Sequence, residues 1–516
     1  MQNRPADSAS TTQKPEKKRL DRTTIQWIGF FAGPLLAVVV YFLLPAGYLD
    51  SDGQTVAIGH ATRATAATGA WMAVWWLSEA IPISATALLP LVLFPLTNAV
   101  PVKKVAQSYG HELIFLFMGG FFLSKAMERW GLHRRIALIT LRYFGRGKRL
   151  MIAGFMLVTA VLSMWVSNTA TAIMMLPIAL SVIALVDERA EPNASGKSGS
   201  FAQALMLGIA YSASIGGLAT LIGSPPNLFL ASYVRDRFAM ELSFSKWFMI
   251  GFPLSAIFLP LTWWLLTRVF YKVSPEAPAG GHNLIRDEYD KLGPINRGSL
   301  ITMVVFFATA FMWLTRPMLT QMTVAGIQPL AGLTDATIAI MAGMLLFCLP
   351  VHIKERIFVL DWETAVKLPW GILILFGGGL ALAAAIQANG LGAYMGSLVA
   401  GWKDLPILML IVGVSTLVIF LTELTSNTAT SATLIPILAA IAIGMGMDPI
   451  MLMFPAALAA SLAFMMPVAT PPNAIVFGSG KLTIPEMARV GLWLNLIGIT
   501  LVTLASFFWV PVVMGN

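Results

Sequence analysis

Cysteine is almost absent from this chain of 516 residues: Cys348 stands alone, so no disulfide can form within it. The five histidines, His60, His111, His133, His282 and His352, are scattered. No His-Glu-x-x-His run and no Ser, His and Asp grouping accompanies them, which leaves a membrane-embedded enzyme as a remote alternative. Charge is scarce too. Only 11% of the residues are Asp, Glu, Lys or Arg, against 57% hydrophobic, and the mean hydropathy is +0.76. A soluble protein cannot cover its surface with so few charges, so the class is a polytopic membrane protein. The formal net charge is +9, yet the Lys and Arg residues sit at the ends of apolar runs. That placement fits a bilayer and argues against nucleic acid as a partner. Cys348, inside an apolar run, reads as a small core residue.

What the chain does have is a repeat. Ser167-Asn168-Thr169-Ala170-Thr171 returns as Ser426-Asn427-Thr428-Ala429-Thr430, 259 positions later. A hydroxyl residue precedes each Ser by four places (Ser163, Thr422), and a Pro-Ile pair follows (Pro177-Ile178, Pro436-Ile437). At the same offset Phe117-Met118-Gly119-Gly120 matches Phe376-Gly377-Gly378-Gly379, and Gly131-Leu132 matches Gly390-Leu391. A second pair, Gly223-Ser224-Pro225-Pro226-Asn227 and Ala469-Thr470-Pro471-Pro472-Asn473, is 246 apart, and the polar stretch 187–200 accounts for the shorter spacing. Shared flanks at a fixed offset mean one internal repeat used twice around one site.

The predicted fold is an all-α polytopic membrane protein of about 11 transmembrane helices in an inverted repeat, with two re-entrant hairpins and two broken helices. Residues 1–23, with Lys14, Lys17, Lys18, Arg19 and Arg22, read as a disordered cytoplasmic tail before a first span at 26–44 that lacks a cleavage site. Residues 24–130 form the first scaffold segment, with further spans at 66–80, 81–99 and 111–129. Residues 131–270 hold an amphipathic interfacial helix (131–149), the first hairpin (150–186), a helix broken at the tandem proline (201–233) and a span. A cytoplasmic loop at 271–297 divides the halves. Residues 298–402 are the second scaffold segment with its own interfacial piece. Residues 403–516 hold the second hairpin (405–443), the second broken helix (449–480) and the last span. Lys and Arg placement puts the N-terminus in the cytoplasm and the C-terminus outside.

Each hairpin tip is a polar break flanked by only about 16–18 apolar residues, short for two full spans. Unwound backbone at membrane depth is tolerated only inside protein or against a wet cavity. Half-helix N-termini offer free N–H groups to an anion, while freed carbonyls and hydroxyls can hold a small hard cation. The pairs are Ser167-Asn168-Thr169 with Gly223-Ser224, and Ser426-Asn427-Thr428 with Ala469-Thr470. None of the four motifs contains Arg, Lys or His. A dianion held only by hydroxyls and amides is costly to desolvate, so co-bound cations are the simplest source of positive charge. Anion and cation affinities would then depend on each other, which is coupled transport. Among charges in or near spans, Glu79 and Lys125 read as helix ends. Glu423, beside Thr422, reads either as functional or as a carboxylate bonded to backbone or to a base. The glycine runs at 119–120 and 377–379 serve close helix packing.

The four motifs in this order resemble the divalent-anion/sodium symporter family, the INDY-type sodium-coupled di- and tricarboxylate carriers, over about residues 25–513. The resemblance implies a homodimeric elevator-type carrier in the cell inner (plasma) membrane, with Na+ as the coupling ion and no other cofactor. It implies one sodium site at Ser163, Ser167, Asn168 and Gly223 and another at Thr422, Thr425, Asn427 and Ala469. Substrate carboxylates would meet Ser167, Asn168, Thr169, Ser224, Ser426, Asn427, Thr428 and Thr470. The expected activity is sodium-coupled import of C4 dicarboxylates such as succinate, malate and fumarate. A sodium-independent exchanger, a citrate or sulfate carrier, and more remotely a channel remain open at this point.

Overall fold

The computed structural model describes residues 23–49, 54–144, 147–188, 197–276, 281–323, 326–398 and 405–515. Apart from Thr23 the expected tail lies outside the described residues, as do 189–196 and 277–280 of the two expected polar loops. The described chain is helical, save for two short antiparallel ribbons in its connections. These pair Gly47–Leu49 with Thr55–Ala57 and Pro350–His352 with Ile357–Phe358.

By length and composition, six described helices can cross a membrane: Thr24–Leu43, Phe244–Phe270, Arg297–Leu319, Trp370–Ala388, Asn427–Gly444 and Ile484–Met514. Shorter apolar helices accompany them among the described residues. The expected 81–99 span is two short helices, Ile83–Thr86 and Leu89–Leu96. At the bend, Tyr109 Oη donates to Ala87 O at 2.5 Å, and Gly378 admits the Ala87 backbone where a Cβ would clash.

Both hairpins are present. The first pairs Lys148–Ser163 with Asn168–Glu188, and the second pairs Ile407–Thr422 with Asn427–Gly444. Both broken helices are present too, as Lys197–Gly217 with Pro225–Phe238 and Ile450–Ala460 with Pro471–Phe477. The unwound links are 218–224 and 461–470, upstream of the tandem prolines. The prolines occupy the first positions of the following helix, where no intrahelical N–H is needed. From Ala204 to Gly217 every residue is buried, so the first broken helix forms the centre of the packing. Phe117 and Phe376, equivalent by the 259-residue offset, pack ring against ring at 5.3 Å.

Leu132–Phe144 is the expected amphipathic helix, but the 271–297 loop is not simply a loop. It contains the helix Gly281–Asp290, docked on Leu132–Phe144. Arg135, 9% exposed, donates to the carbonyls of Leu292, Gly293 and Pro294 just beyond that helix, and Arg134 pairs with Glu288 at 2.9 Å. One guanidinium thus gathers three carbonyls of the turn after the helix, charge-assisted bonds that fix this segment to Leu132–Phe144. Cys348 ends the helix Asp335–Cys348 and is exposed, not a core residue. An apolar stretch that faces lipid and one that faces the core have the same composition.

Candidate functional site

The hairpin tips are held by their first-arm hydroxyls. Ser163 Oγ lies 2.6 Å from Asn168 Oδ1 and 2.7 Å from Ala213 O. In the second half Thr422 Oγ1 lies 2.7 Å from Asn427 Oδ1 and 3.1 Å from Ala460 O. Both hydroxyl residues are fully buried. A hydroxyl has one proton and cannot donate to both acceptors at once. Each half thus gathers three oxygens around a single proton, an electron-rich set that a small hard cation would satisfy.

The unwound links are held with the same economy in both halves. Asn227 Nδ2 donates to Gly217 O (2.9 Å) and Thr220 O (2.8 Å), and Asn473 Nδ2 donates to Ala463 O (3.2 Å) and Met466 O (3.1 Å). These partners share the 246-residue offset, as do Leu218 O, which accepts from Trp247 Nε1, and Phe464 O, which accepts from Tyr211 Oη, each at 2.9 Å. Left without partners, buried carbonyls of this kind cost about 1–3 kcal/mol each. The Asn of each Pro-Pro-Asn motif is therefore a clamp on the link before it.

Two differences between the halves concern how the links are built. A Cβ on Gly223 would lie 2.6 Å from Gly217 O, and one on Gly217 would lie 2.9 Å from Asn168 Oδ1, so the first link needs glycine at both places. The second half has Ala469 and Ala463 there. Accordingly Gly223→Ala should cut sodium-stimulated uptake about tenfold by displacing the backbone at Gly217, the last residue of its helix, an overpacking cost of about 1–3 kcal/mol. Ala469→Gly should change it less than about threefold by the same reasoning. Uptake at saturating and limiting sodium measures both.

The second difference is Glu423, 3% exposed, whose repeat equivalent is Met164. Its carboxylate accepts from the consecutive backbone N–H groups of Phe464 (2.7 Å), Met465 (2.9 Å) and Met466 (2.9 Å), and from Asn495 Nδ2 (2.7 Å). Of the two readings open at the sequence level, the geometry is that of a buried carboxylate bonded to backbone. Three successive N–H groups form an anion nest, and here the anion is a side chain of the same protein. In the first half the corresponding tie is neutral: Thr220 Oγ1 donates to Met164 O.

The tips and links enclose a chamber of about 610 Å³. Ser167, Asn168, Thr169, Gly223 and Ser224 line it from the first half. Thr425, Ser426, Asn427, Thr428, Ala469 and Thr470 line it from the second. Of the site residues expected from the sequence, only Ser163 and Thr422 lie behind the wall, each one hydrogen bond away through its Asn. Ser224 Oγ is 2.8 Å from Ser461 Oγ, and Thr470 Oγ1 accepts from the Asn473 N–H at 3.3 Å. None of the described residues lining the chamber is Lys, Arg or His, and Glu79, which caps the helix His60–Ser78, is its one acidic residue.

The family model described as the sodium:sulfate symporter transmembrane region matches residues 27–515. The chain belongs to this family. It is 41% identical over 492 residues to the sodium-dependent dicarboxylate transporter SdcS of Staphylococcus saprophyticus, covering 95% of this chain and 92% of that one. To the SdcS of Staphylococcus aureus it is 40% identical over 501 residues, covering 97% and 94%. Among solved structures its fold is shared by the Alcanivorax borkumensis YdaH transporter (TM-score 0.59, 12% identity, 95% and 98% covered). It is also shared by Neisseria gonorrhoeae MtrF (TM-score 0.53, 12% identity, 93% and 94% covered). The chain is a multi-pass membrane transporter and not an enzyme.

The sequence reading assigned no role to Asn227, Asn473, Tyr211 and Trp247. The two Asn residues carried a signal, since they close the repeated motifs. Tyr211 and Trp247 carried none, because each reaches its link from another helix.

Proposed function

We propose that the symporter imports C4 dicarboxylates such as succinate, malate and fumarate by coupling them to sodium. The observation that carries this reading is the chamber wall: among the described residues it has hydroxyls, amides and helix starts for an anion but no basic side chain to neutralise it. Two oxygen clusters, one behind each hairpin tip, are the cation sites. The first comprises Ser163, Ser167, Asn168 and Gly223, and the second Thr422, Thr425, Asn427 and Ala469. The substrate meets Ser167, Asn168, Thr169, Ser224, Ser426, Asn427, Thr428 and Thr470. Sodium bound first supplies the charge, and each ligand then raises the affinity of the other by the same factor. The names of the SdcS relatives agree with this chemistry.

The chamber also touches Thr23 and Glu79, and it adjoins a cavity holding Lys125 and Lys367. With the Lys- and Arg-rich face in the cytoplasm, this conformation faces inward, with the N-terminus inside and the C-terminus outside. Eleven spans in an inverted repeat, a homodimer and an elevator motion of hairpins against scaffold complete the proposal, the last two on the strength of the family resemblance. The test is labelled succinate uptake into proteoliposomes with external sodium, lithium, potassium or choline and no internal substrate. Steep sodium dependence is expected. Uptake that needs preloaded dicarboxylate and ignores sodium would make the protein an exchanger.

A further inference from the structure

Next to the central chamber lies a second cavity of about 610 Å³, between the first hairpin and the helices Glu112–Arg129 and Trp370–Ala388. The two cavities share Phe121, Ser167, Thr169 and Ile372, so they meet at the tip of the first hairpin. The charged residues of the second cavity are Lys125, Glu128 and Lys367. Lys125 Nζ lies 2.6 Å from Glu128 Oε2 on the same helix, while Lys367 is exposed with no ion pair among the described residues. His133 also lines the space, and burial lowers its pKa, so it adds no charge near neutral pH. Thr171, 2% exposed, lines the same wall, and its hydroxyl has no hydrogen-bond partner among the described residues. Its repeat equivalent Thr430 is engaged at 2.8 Å by Thr425, but the first half has Val166 in place of Thr425.

We propose that this second cavity is a docking vestibule for the dicarboxylate on its cytoplasmic route, where Lys125 and Lys367 hold a carboxylate of the substrate between the central chamber and bulk water. The proposal rests on the sodium-coupled dianion reading above. Among the described residues the central chamber has no basic side chain, and the nearest ones, Lys125 and Lys367, line the cavity that adjoins it. Two cationic side chains against one anionic one leave an attractive field, and low-dielectric walls concentrate such a field. The rival view makes Lys125 and Glu128 an ordinary ion pair three residues apart on a helix, with little effect on anything. The two views differ in sign. Removing Lys125 weakens anion docking, whereas removing the charge of Glu128 frees Lys125 and strengthens it. A merely structural pair would lose by either change.

The experiment measures half-saturating succinate at each face, in inside-out and right-side-out vesicles carrying the full-length protein. Lys125→Met together with Lys367→Met should raise the cytoplasmic value about fivefold to tenfold, the scale of one or two charges acting across a partly hydrated cavity. Glu128→Gln should lower it about threefold on the same estimate. Both shifts should be smaller at the outer face and should shrink in high salt. Shifts in the same direction for the two changes, equal shifts at both faces, or no cytoplasmic shift would overturn the proposal. Failure of the sodium-coupled reading itself would show separately, as wild-type uptake indifferent to sodium.

Discussion

Asn168→Ala and Asn427→Ala each reduce sodium-stimulated succinate uptake at least about a hundredfold while leaving a folded, membrane-inserted protein. Each amide belongs to two constellations at once: it is within 2.7 Å of the hydroxyl behind its hairpin tip, and it lines the chamber. Alanine removes an oxygen from the electron-rich cluster and a polar group from the anion's surroundings. Hydrogen bonds involving charged groups contribute about 1.5–3 kcal/mol each, so losing one on each ligand amounts to roughly two orders of magnitude. The fold should tolerate the change, because the links are clamped by Asn227 and Asn473 and not by these residues. Uptake and size-exclusion profiles together are the readout. Normal sodium-stimulated uptake by either variant would show that the assignment of the two clusters is wrong.

Glu423→Ala has the second large effect, and it acts through stability first. The substitution strips the acceptor from three consecutive backbone N–H groups and from Asn495 Nδ2, all in a site that is 3% exposed or less for Glu423 and Asn495. Each buried donor left without its acceptor costs about 1–3 kcal/mol, and four lose theirs at once. Link 461–470 would lose its shape, and with it the carbonyls that Asn473 organises and the setting of Ala469. The expected result is a clearly lower melting temperature in detergent and loss of sodium-stimulated uptake. Glu423→Gln should fall between, because its amide retains one acceptor oxygen but turns a donor toward other donors. Met164, at the equivalent place in the first half, ties its link through a backbone carbonyl that Leu would keep along with a similar buried apolar volume, so Met164→Leu should leave transport and melting close to wild type. If Glu423→Ala melted like wild type, the carboxylate would not be the anchor of this link.

The repeat was legible in the sequence because it consists of polar, helix-breaking residues in an apolar background, where each one is conspicuous. Those same residues line one chamber in the structure. The hydroxyls Ser163 and Thr422 were visible only as flanks at a fixed distance, and a role for them came from the family resemblance. The break inside the 81–99 stretch had a mark that went unread, Pro90 in the first turn of the second short helix, whereas Tyr109 and Gly378, which meet the bend from elsewhere in the chain, left none. The same holds for the exposed position of Cys348, since lipid and core select the same side chains. Glu423 was conspicuous as a charge in an apolar arm. Its partners, three backbone N–H groups and an Asn 72 residues away, leave no mark in the sequence. The second cavity was hidden for a similar reason: Lys125 and Lys367 belong to different halves and meet only through the fold.

The central claim is that sodium provides the positive charge the chamber wall lacks. The most direct measurement is the dissociation constant of succinate for the purified protein as sodium is replaced by choline at constant ionic strength. The account predicts affinity that rises steeply with sodium and becomes unmeasurable in choline alone. The same dissociation constant in sodium and in choline would contradict it, because the anion would then be held by the protein without its cations.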